Sequence, residues 1–347
     1  MMSSQDISQQ FLALINQQQP FILPAYWDYP ALFDAIMYQL LCDDRGRMEA
    51  YQAVIQRHVN GKKVVDIGAG ATLPLTLMSV AAGAEHVYAI ECNETAVIQA
   101  QQLLNAQQLN DKVTIIQGYS TAVELPEKVD ICLSEIIGNI SSSEGVLTIL
   151  QDAKRFLRPD AQMIPLKCLT KIAPIALPPL YQNHFLTTLK AHYDTLITTL
   201  NTEKITINRF EFYNFPASHL LANPHLFEEI DFTQALQTES RRNDTFHITQ
   251  QNELQGFLLW IELNVDAQHL IYSFATTPFT TPHVFKATCW TPIYIPCAPI
   301  PVRPDDCLQV QYYIHNRPDK INPDYQINVK IQRNNQIIHD FEINSVY

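Results

Sequence analysis

From Lys63 onward the chain alternates short apolar runs with longer stretches of helical spacing. Val64–Ile67, Val87–Ile90, Val113–Ile116 and Val129–Leu133 read as strands, with Thr72–Ala82 and Thr95–Asn105 as helices between them. Strands alternating with helices predict a parallel sheet covered on both faces and joined by right-handed crossovers, a doubly wound, Rossmann-like α/β domain over residues 61–163. Ahead of it, Leu32, Ile36 and Leu40, then Tyr51, Val54 and Ile55, lie at helical spacing on either side of the polar knot Asp43-Asp44-Arg45-Gly46-Arg47. Two helices meeting at a charged turn follow, within an N-terminal segment 1–60.

Past Arg158-Pro159-Asp160 the period changes to two. Leu308, Val310, Tyr312 and Ile314 alternate with polar neighbours, as do Tyr325, Ile327, Val329 and Ile331, and Asn334-Asn335 is placed to turn a hairpin. Residues 164–347 therefore predict a mostly antiparallel β domain, interrupted by an amphipathic helix at about 180–205. There Phe185, Leu189, Tyr193, Leu196 and Leu200 form one apolar stripe that its own domain or a second subunit must cover.

A length of 347 residues supports two cores, and 47% hydrophobic with 17% charged residues is a globular composition. Seven cysteines without a Cys-x-x-Cys pair predict free thiols rather than a disulfide framework or zinc site, and eleven dispersed histidines predict no metal. The net charge of −12 disfavours nucleic acid and anionic membranes and favours cationic substrates, solubility alone being the competing reading. A polar first decapeptide and the lack of any span-length apolar run predict a soluble, cytoplasmic protein.

Asp66-Ile67-Gly68-Ala69-Gly70 follows a β-branched strand and precedes a helix, the position where an open α/β sheet receives a ligand close to its backbone. Glu91, ending the next strand, is placed to accept hydrogen bonds from both ribose hydroxyls of an adenosine. A dinucleotide's pyrophosphate usually needs a third glycine, and Ala71-Thr72 stands there instead. That favours S-adenosylmethionine, whose cationic groups a carboxylate such as Asp66 can meet. Gly118, Ser120 and Thr121, after the third strand, are placed to line the adenine, and Ser134-Glu135 reaches the same sheet edge. Arg47 is a candidate clamp for the methionyl carboxylate, against the plainer reading of a solvated helix-end arginine.

At this point the chain resembles the protein arginine methyltransferase family. Leu41 to Tyr51, with Asp44, Arg47 and Tyr51, is similar to the family's helical stretch before the sheet. Val64–Gly70 and Val87–Glu91 resemble its cofactor motifs, with Thr72 replacing the usual third glycine. Ser134-Glu135-Ile136-Ile137-Gly138-Asn139-Ile140-Ser141-Ser142-Ser143-Glu144 is similar to the loop carrying the family's two catalytic glutamates at this separation. Residues 215–232, Phe274–Pro278 and Thr288-Cys289-Trp290 resemble its barrel segments more loosely. The resemblance implies a Rossmann-like methyltransferase domain, a β-barrel-like domain with a dimerisation arm, Arg47 on the methionyl carboxylate, and a homodimer.

Cys289 stands where the family has a histidine, so the usual pairing, here with Asp44, cannot form as a charged contact; His283 is a substitute candidate or a barrel-surface residue. The serine run is more polar than the family pattern, which opens a peptide natural-product precursor as an acceptor beside an arginine-containing protein or peptide. Glu135 and Glu144 can grip a guanidinium as a fork and leave electron density on the nitrogen facing the methyl group. Trp290 is a candidate wall of the acceptor pocket or a core residue. Two alternatives remain at this level: transfer to another nitrogen or oxygen, and a catalytically silent cofactor-binding scaffold.

Overall fold

The β-branched runs after Lys63 pair side by side in register, with Val64 opposite both Val87 and Ile131. In this computed structural model residues 20–24, 44–179, 209–235, 237, 239–276, 281–287, 290–316 and 322–345 are described. The first helix expected of the N-terminal pair, the stripe Phe185–Leu200 and Cys289 lie outside them.

A short strand β1 (Phe21–Pro24) and helix α1 (Arg45–His58) precede the first layer. That layer runs β2 (Lys63–Ile67), α2 (Pro74–Ala81), β3 (His86–Glu91), α3 (Glu94–Gln107), β4 (Val113–Gln117), β5 (Val129–Ser134), α4 (Val146–Ala153) and β6 (Leu157–Ile164). Its five strands are parallel in the order β4-β3-β2-β5-β6. Val64, Val65, Val87, Ala89 and Cys132 are wholly buried, as befits a parallel sheet covered on both faces. The fifth strand includes Arg158-Pro159-Asp160, where the alternation stops in the sequence. It is an edge strand whose exposed first half carries charge and proline, as edges do.

The β-rich half comprises β7 (Lys167–Ile175), β8 (Phe210–Tyr213), β9 (His225–Asp231), β10 (Glu239–His247), β11 (Asn252–Asn264), β12 (Leu270–Tyr272), β13 (Val284–Lys286), β14 (Ile293–Val302), β15 (Cys307–His315), β16 (Asp324–Arg333) and β17 (Gln336–Ser345). An eight-stranded sheet follows β1-β8-β14-β11-β12-β13, with β7 and β9 added along the other edge of β11. A second sheet runs β10-β15-β16-β17, antiparallel throughout. Every alternate residue expected to face inward, from Leu308 to Ile314 and from Tyr325 to Ile331, is buried in one core with Phe227, Phe246 and Phe257 of the facing sheet. Asn334 and Asn335 have φ of 51° and 62° and join Arg333 to Gln336, the two-residue turn whose geometry needs positive φ at both central positions.

The two halves share apolar packing, since Ile230, Phe232, Ile261, Leu263 and Trp290 join the core of the parallel sheet. Helix α1 is clasped between them: Tyr51, Val54 and Ile55 are fully buried, and His58 Nε2 lies 3.3 Å from Asp266 Oδ2 in the barrel. Among the described residues no helix is long and apolar enough to cross a membrane.

Candidate active site

The strand order places the point where the chain reverses direction between β2 and β5, and open α/β sheets bind ligands outside the carboxyl ends of strands at such a point. After β2 the backbone turns through Gly68 and Gly70, both with positive φ, while the N–H groups of Gly68 and Ala69 donate to Ile90 O at 3.0 and 3.1 Å. The Glu91 carboxylate, ending β3, accepts from Gly70 N at 2.9 Å and from Asn93 N at 2.8 Å, so it spans the mouth of the turn. Gly118 N donates to Glu91 O at 2.9 Å. Ser120 beyond it is buried, with its carbonyl accepting from Arg155 Nη2 at 2.8 Å, and Thr121 is exposed. Six of the residues expected to hold a nucleoside therefore border one sheet edge.

Asp66 is turned inward. Its side chain is buried and Oδ2 accepts from Thr76 Oγ1 of α2 at 2.6 Å. Burial lifts the carboxyl to about 7, against the hydrogen bond from Thr76 that favours its ionised form. Thr76 escaped the sequence reading because it sits among apolar helix positions, Leu75 and Leu77.

A carboxyl whose folded value exceeds its unfolded value favours the protonated folded state. Its contribution to stability is present below about pH 4 and is lost as pH rises through about 7. Asp66→Asn should gain stability over the wild type by an amount that grows from near zero at about pH 4 to about 4 kcal/mol above about pH 7, three pKa units at about 1.4 kcal/mol each. Urea midpoints of both proteins across that range check it; a pH-independent difference contradicts it.

On the other side of the reversal point, Tyr51 Oη donates to Ser134 O at 3.0 Å, fixing the end of β5 to α1. One turn earlier on α1, Arg47 Nη1 lies 2.7 Å from Glu135 Oε2, the arginine side chain 3% and the glutamate 14% exposed. This buried pair replaces the solvated-arginine reading. Asp44 caps the helix by accepting from Arg47 N at 3.3 Å. Burial raises the Glu135 carboxyl above its ordinary value, and Arg47 pulls it back. Ser134 Oγ and Glu135 Oε1 are buried and make no hydrogen bond among the described residues.

Trp290 covers this pair. Its ring centroid lies 5.6 Å from the Arg47 guanidinium carbon, and its Nε1 donates to Ile137 O at 2.9 Å. Thr291 N donates to Asn139 Oδ1 at 3.1 Å. The tryptophan thus clamps the glutamate-bearing loop and stacks on a guanidinium of this chain.

The loop returns so that a Cβ on Gly138 would meet Glu144 Oε1 at 2.5 Å, which locates the second carboxylate directly over the glycine. Glu144 N donates to Asn322 Oδ1 at 2.6 Å, a barrel partner with no signal in the sequence. Ser141, Ser142 and Ser143 are buried, Ser141 and Ser142 bonded to barrel side chains and Ser143 to Ile140 O, which removes the basis for reading their polarity as a sign of an unusual acceptor. His283 is exposed and packs on His269, with ring centroids 4.9 Å apart, as a barrel-surface residue.

Residues 29–164 match the family model described as PRMT5 arginine-N-methyltransferase. The probable protein arginine N-methyltransferase 6 of Arabidopsis thaliana is 33% identical over 151 residues, 42% of this chain and 34% of the relative. The probable histone-arginine methyltransferase 1.4 of the same plant is 27% identical over 271 residues, 72% of this chain and 50% of the relative. The chain thus spans half or less of the length of these curated relatives. The solved Arabidopsis thaliana protein arginine methyltransferase 10, described in a uniquely open conformation, is similar with a TM-score of 0.69 at 23% identity, covering 90% of this chain and 97% of that one. A PRMT6–SAH structure is similar with a TM-score of 0.63 at 19% identity, covering 86% of this chain and all of that one. These likenesses establish the two-part fold.

Proposed function

We propose that this chain, whose residues 29–164 match the arginine-N-methyltransferase family model, is a member of the protein arginine methyltransferase family and an S-adenosylmethionine-dependent enzyme that methylates a guanidine nitrogen of arginine in a protein or peptide. The observation that carries this reading is the buried Arg47–Glu135 pair at 2.7 Å, beside a loop that brings Glu144 back over Gly138.

The residues at the sheet edge fit the cofactor. Glu91 offers carboxylate acceptors to ribose hydroxyls, the Gly68–Gly70 turn leaves the backbone open, and Arg47 is the cation for a methionyl carboxylate while its Nη1 holds Glu135. S-adenosylmethionine supplies a methyl group made electrophilic by its cationic sulfonium. A guanidinium stays protonated at physiological pH and is a poor nucleophile. Glu135 Oε1, buried without a hydrogen bond among the described residues, and the Glu144 carboxylate offer it two anionic acceptors. They draw its charge toward the held nitrogens and orient the remaining one, which supplies acceleration through positioning.

The relatives are named for protein and histone arginine, which favours a protein acceptor over a natural-product precursor. A homodimer through Phe185–Leu200 belongs to the same reading. The test is transfer of isotope-labelled methyl from S-adenosylmethionine to an arginine peptide and to the same peptide with lysine, with calorimetric cofactor titration of wild type and Glu91→Ala. Label in the arginine peptide alone, and weaker binding by Glu91→Ala, are the expected results. Label in neither peptide, despite tight cofactor binding, overturns the acceptor assignment.

A further inference from the structure

We propose that Glu228, on strand β9 of the barrel, is a positioning residue for Glu144: it fixes the serine run through which the loop from Glu135 returns. This deepens the arginine methyltransferase reading and rests on it.

The Glu228 side chain is buried, and Oε1 accepts from Ser142 N at 3.0 Å and from Thr170 Oγ1 at 2.9 Å. Thr170 has one hydroxyl proton. Once that proton is committed to the carboxylate, the oxygen is left as an acceptor, and Ser141 N donates to it at 3.0 Å. Two consecutive loop amides therefore end on one carboxylate oxygen, one directly and one through a threonine. The hydroxyls join in: Ser141 Oγ lies 2.8 Å from Thr170 Oγ1 and 3.0 Å from Cys168 Sγ, and with the threonine proton committed to Glu228 the serine hydroxyl donates to Thr170; Ser142 Oγ lies 2.8 Å from Tyr325 Oη of β16.

Two residues after Ser142, Glu144 sits at φ 61°, a left-handed conformation that a side-chain-bearing residue rarely adopts and that persists only where the surroundings over-determine it. Strands β7, β9 and β16 supply that determination, together with Asn322 on the Glu144 amide. The neighbouring Glu229 faces outward, 3.0 Å from Lys167, whereas among the described residues no Lys or Arg lies within ion-pair distance of Glu228. A buried carboxylate without a cation is a poor device for stability alone, since desolvating it is costly. Holding two backbone N–H groups of a catalytic loop is a use that an apolar residue cannot replace.

The test compares Glu228→Leu, which fills the space without an acceptor, with Glu228→Gln, which keeps an acceptor oxygen. Glu228→Leu should lower kcat for an arginine peptide at least about tenfold while the KM for S-adenosylmethionine stays within about twofold. Hydrogen exchange at Ser141, Ser142 and Glu144 should quicken in the same protein. Glu228→Gln should recover most of the rate and the protection. If Glu228→Leu does not fold, Thr170→Val is read by the same two measurements and should show the same pattern. Normal kcat and normal exchange in Glu228→Leu overturn the proposal, as does a Glu228→Gln protein as impaired as Glu228→Leu. A wild type inactive on arginine peptides overturns the function instead, and the exchange pattern still decides whether Glu228 positions the loop.

Discussion

Glu144→Gln is expected to cut single-turnover methyl transfer to an arginine acceptor at least about a hundredfold while S-adenosylmethionine affinity stays within about twofold. Glutamine keeps the size of the side chain and meets the same φ of 61°, so the backbone cost cancels between the two proteins. What changes is one of two anions facing the guanidinium, and leaving a buried charge without a partner costs about 3–5 kcal/mol, or two to three orders of magnitude in rate. Glu135→Gln should lose transfer to a similar degree but should also weaken the cofactor. Its carboxylate holds Arg47 Nη1 at 2.7 Å, and the substitution leaves a 3%-exposed arginine without that counter-charge. Stopped-flow transfer and calorimetry on both variants separate the two roles. Near-normal transfer by Glu144→Gln would mean that the acceptor atom is not a guanidine nitrogen.

Gly46→Ala should also damage the site, from a position outside the residues proposed to touch cofactor or acceptor. In an exposed helix this change stabilises by about 1 kcal/mol, because alanine has the better helix propensity. Here a Cβ would lie 2.0 Å from Lys286 O and 2.9 Å from Lys286 C, both backbone atoms of β13, so no side chain can swing away. The first turn of α1 must lift off the barrel and carry Arg47 with it, away from Glu135 and from beneath Trp290. We expect a stability loss of about 1–3 kcal/mol, as for overpacking, and cofactor affinity lowered at least about tenfold. Urea denaturation and calorimetry read both. A stabilised protein with normal affinity would show that helix and barrel do not meet this closely.

The contrast between these residues explains what was legible in the sequence. Strands β2, β3 and β5 were readable because burial on both faces demands β-branched runs, the edge strand β4 because Val113, Ile115 and Ile116 still pack on the core, and the hairpin of β16 and β17 because its turn needs two residues tolerant of positive φ. Strand β6 was hidden because an edge strand admits Arg158, Pro159 and Asp160. The Arg47–Glu135 pair joins residues 47 and 135, and periodicity carries no information about contacts so far apart; the family resemblance supplied the two residues but not their bond. For Trp290 the sequence leaves a wall of the acceptor pocket and a core residue both open; its burial and the bond from its indole N–H to Ile137 O are set by how the barrel docks. The serine run read as a peculiarity of the pocket because its partners, Thr170, Glu228 and Tyr325, come from three separate strands.

Whether Glu135 and Glu144 present an arginine side chain to S-adenosylmethionine is decided by tandem mass spectrometry of an arginine-containing protein after incubation with this protein and isotope-labelled cofactor. Labelled methyl is expected on guanidine nitrogens in the wild-type reaction, and its loss with Glu144→Gln. Label on a lysine, a backbone or an oxygen atom, or label on arginine that persists undiminished in Glu144→Gln, would contradict it.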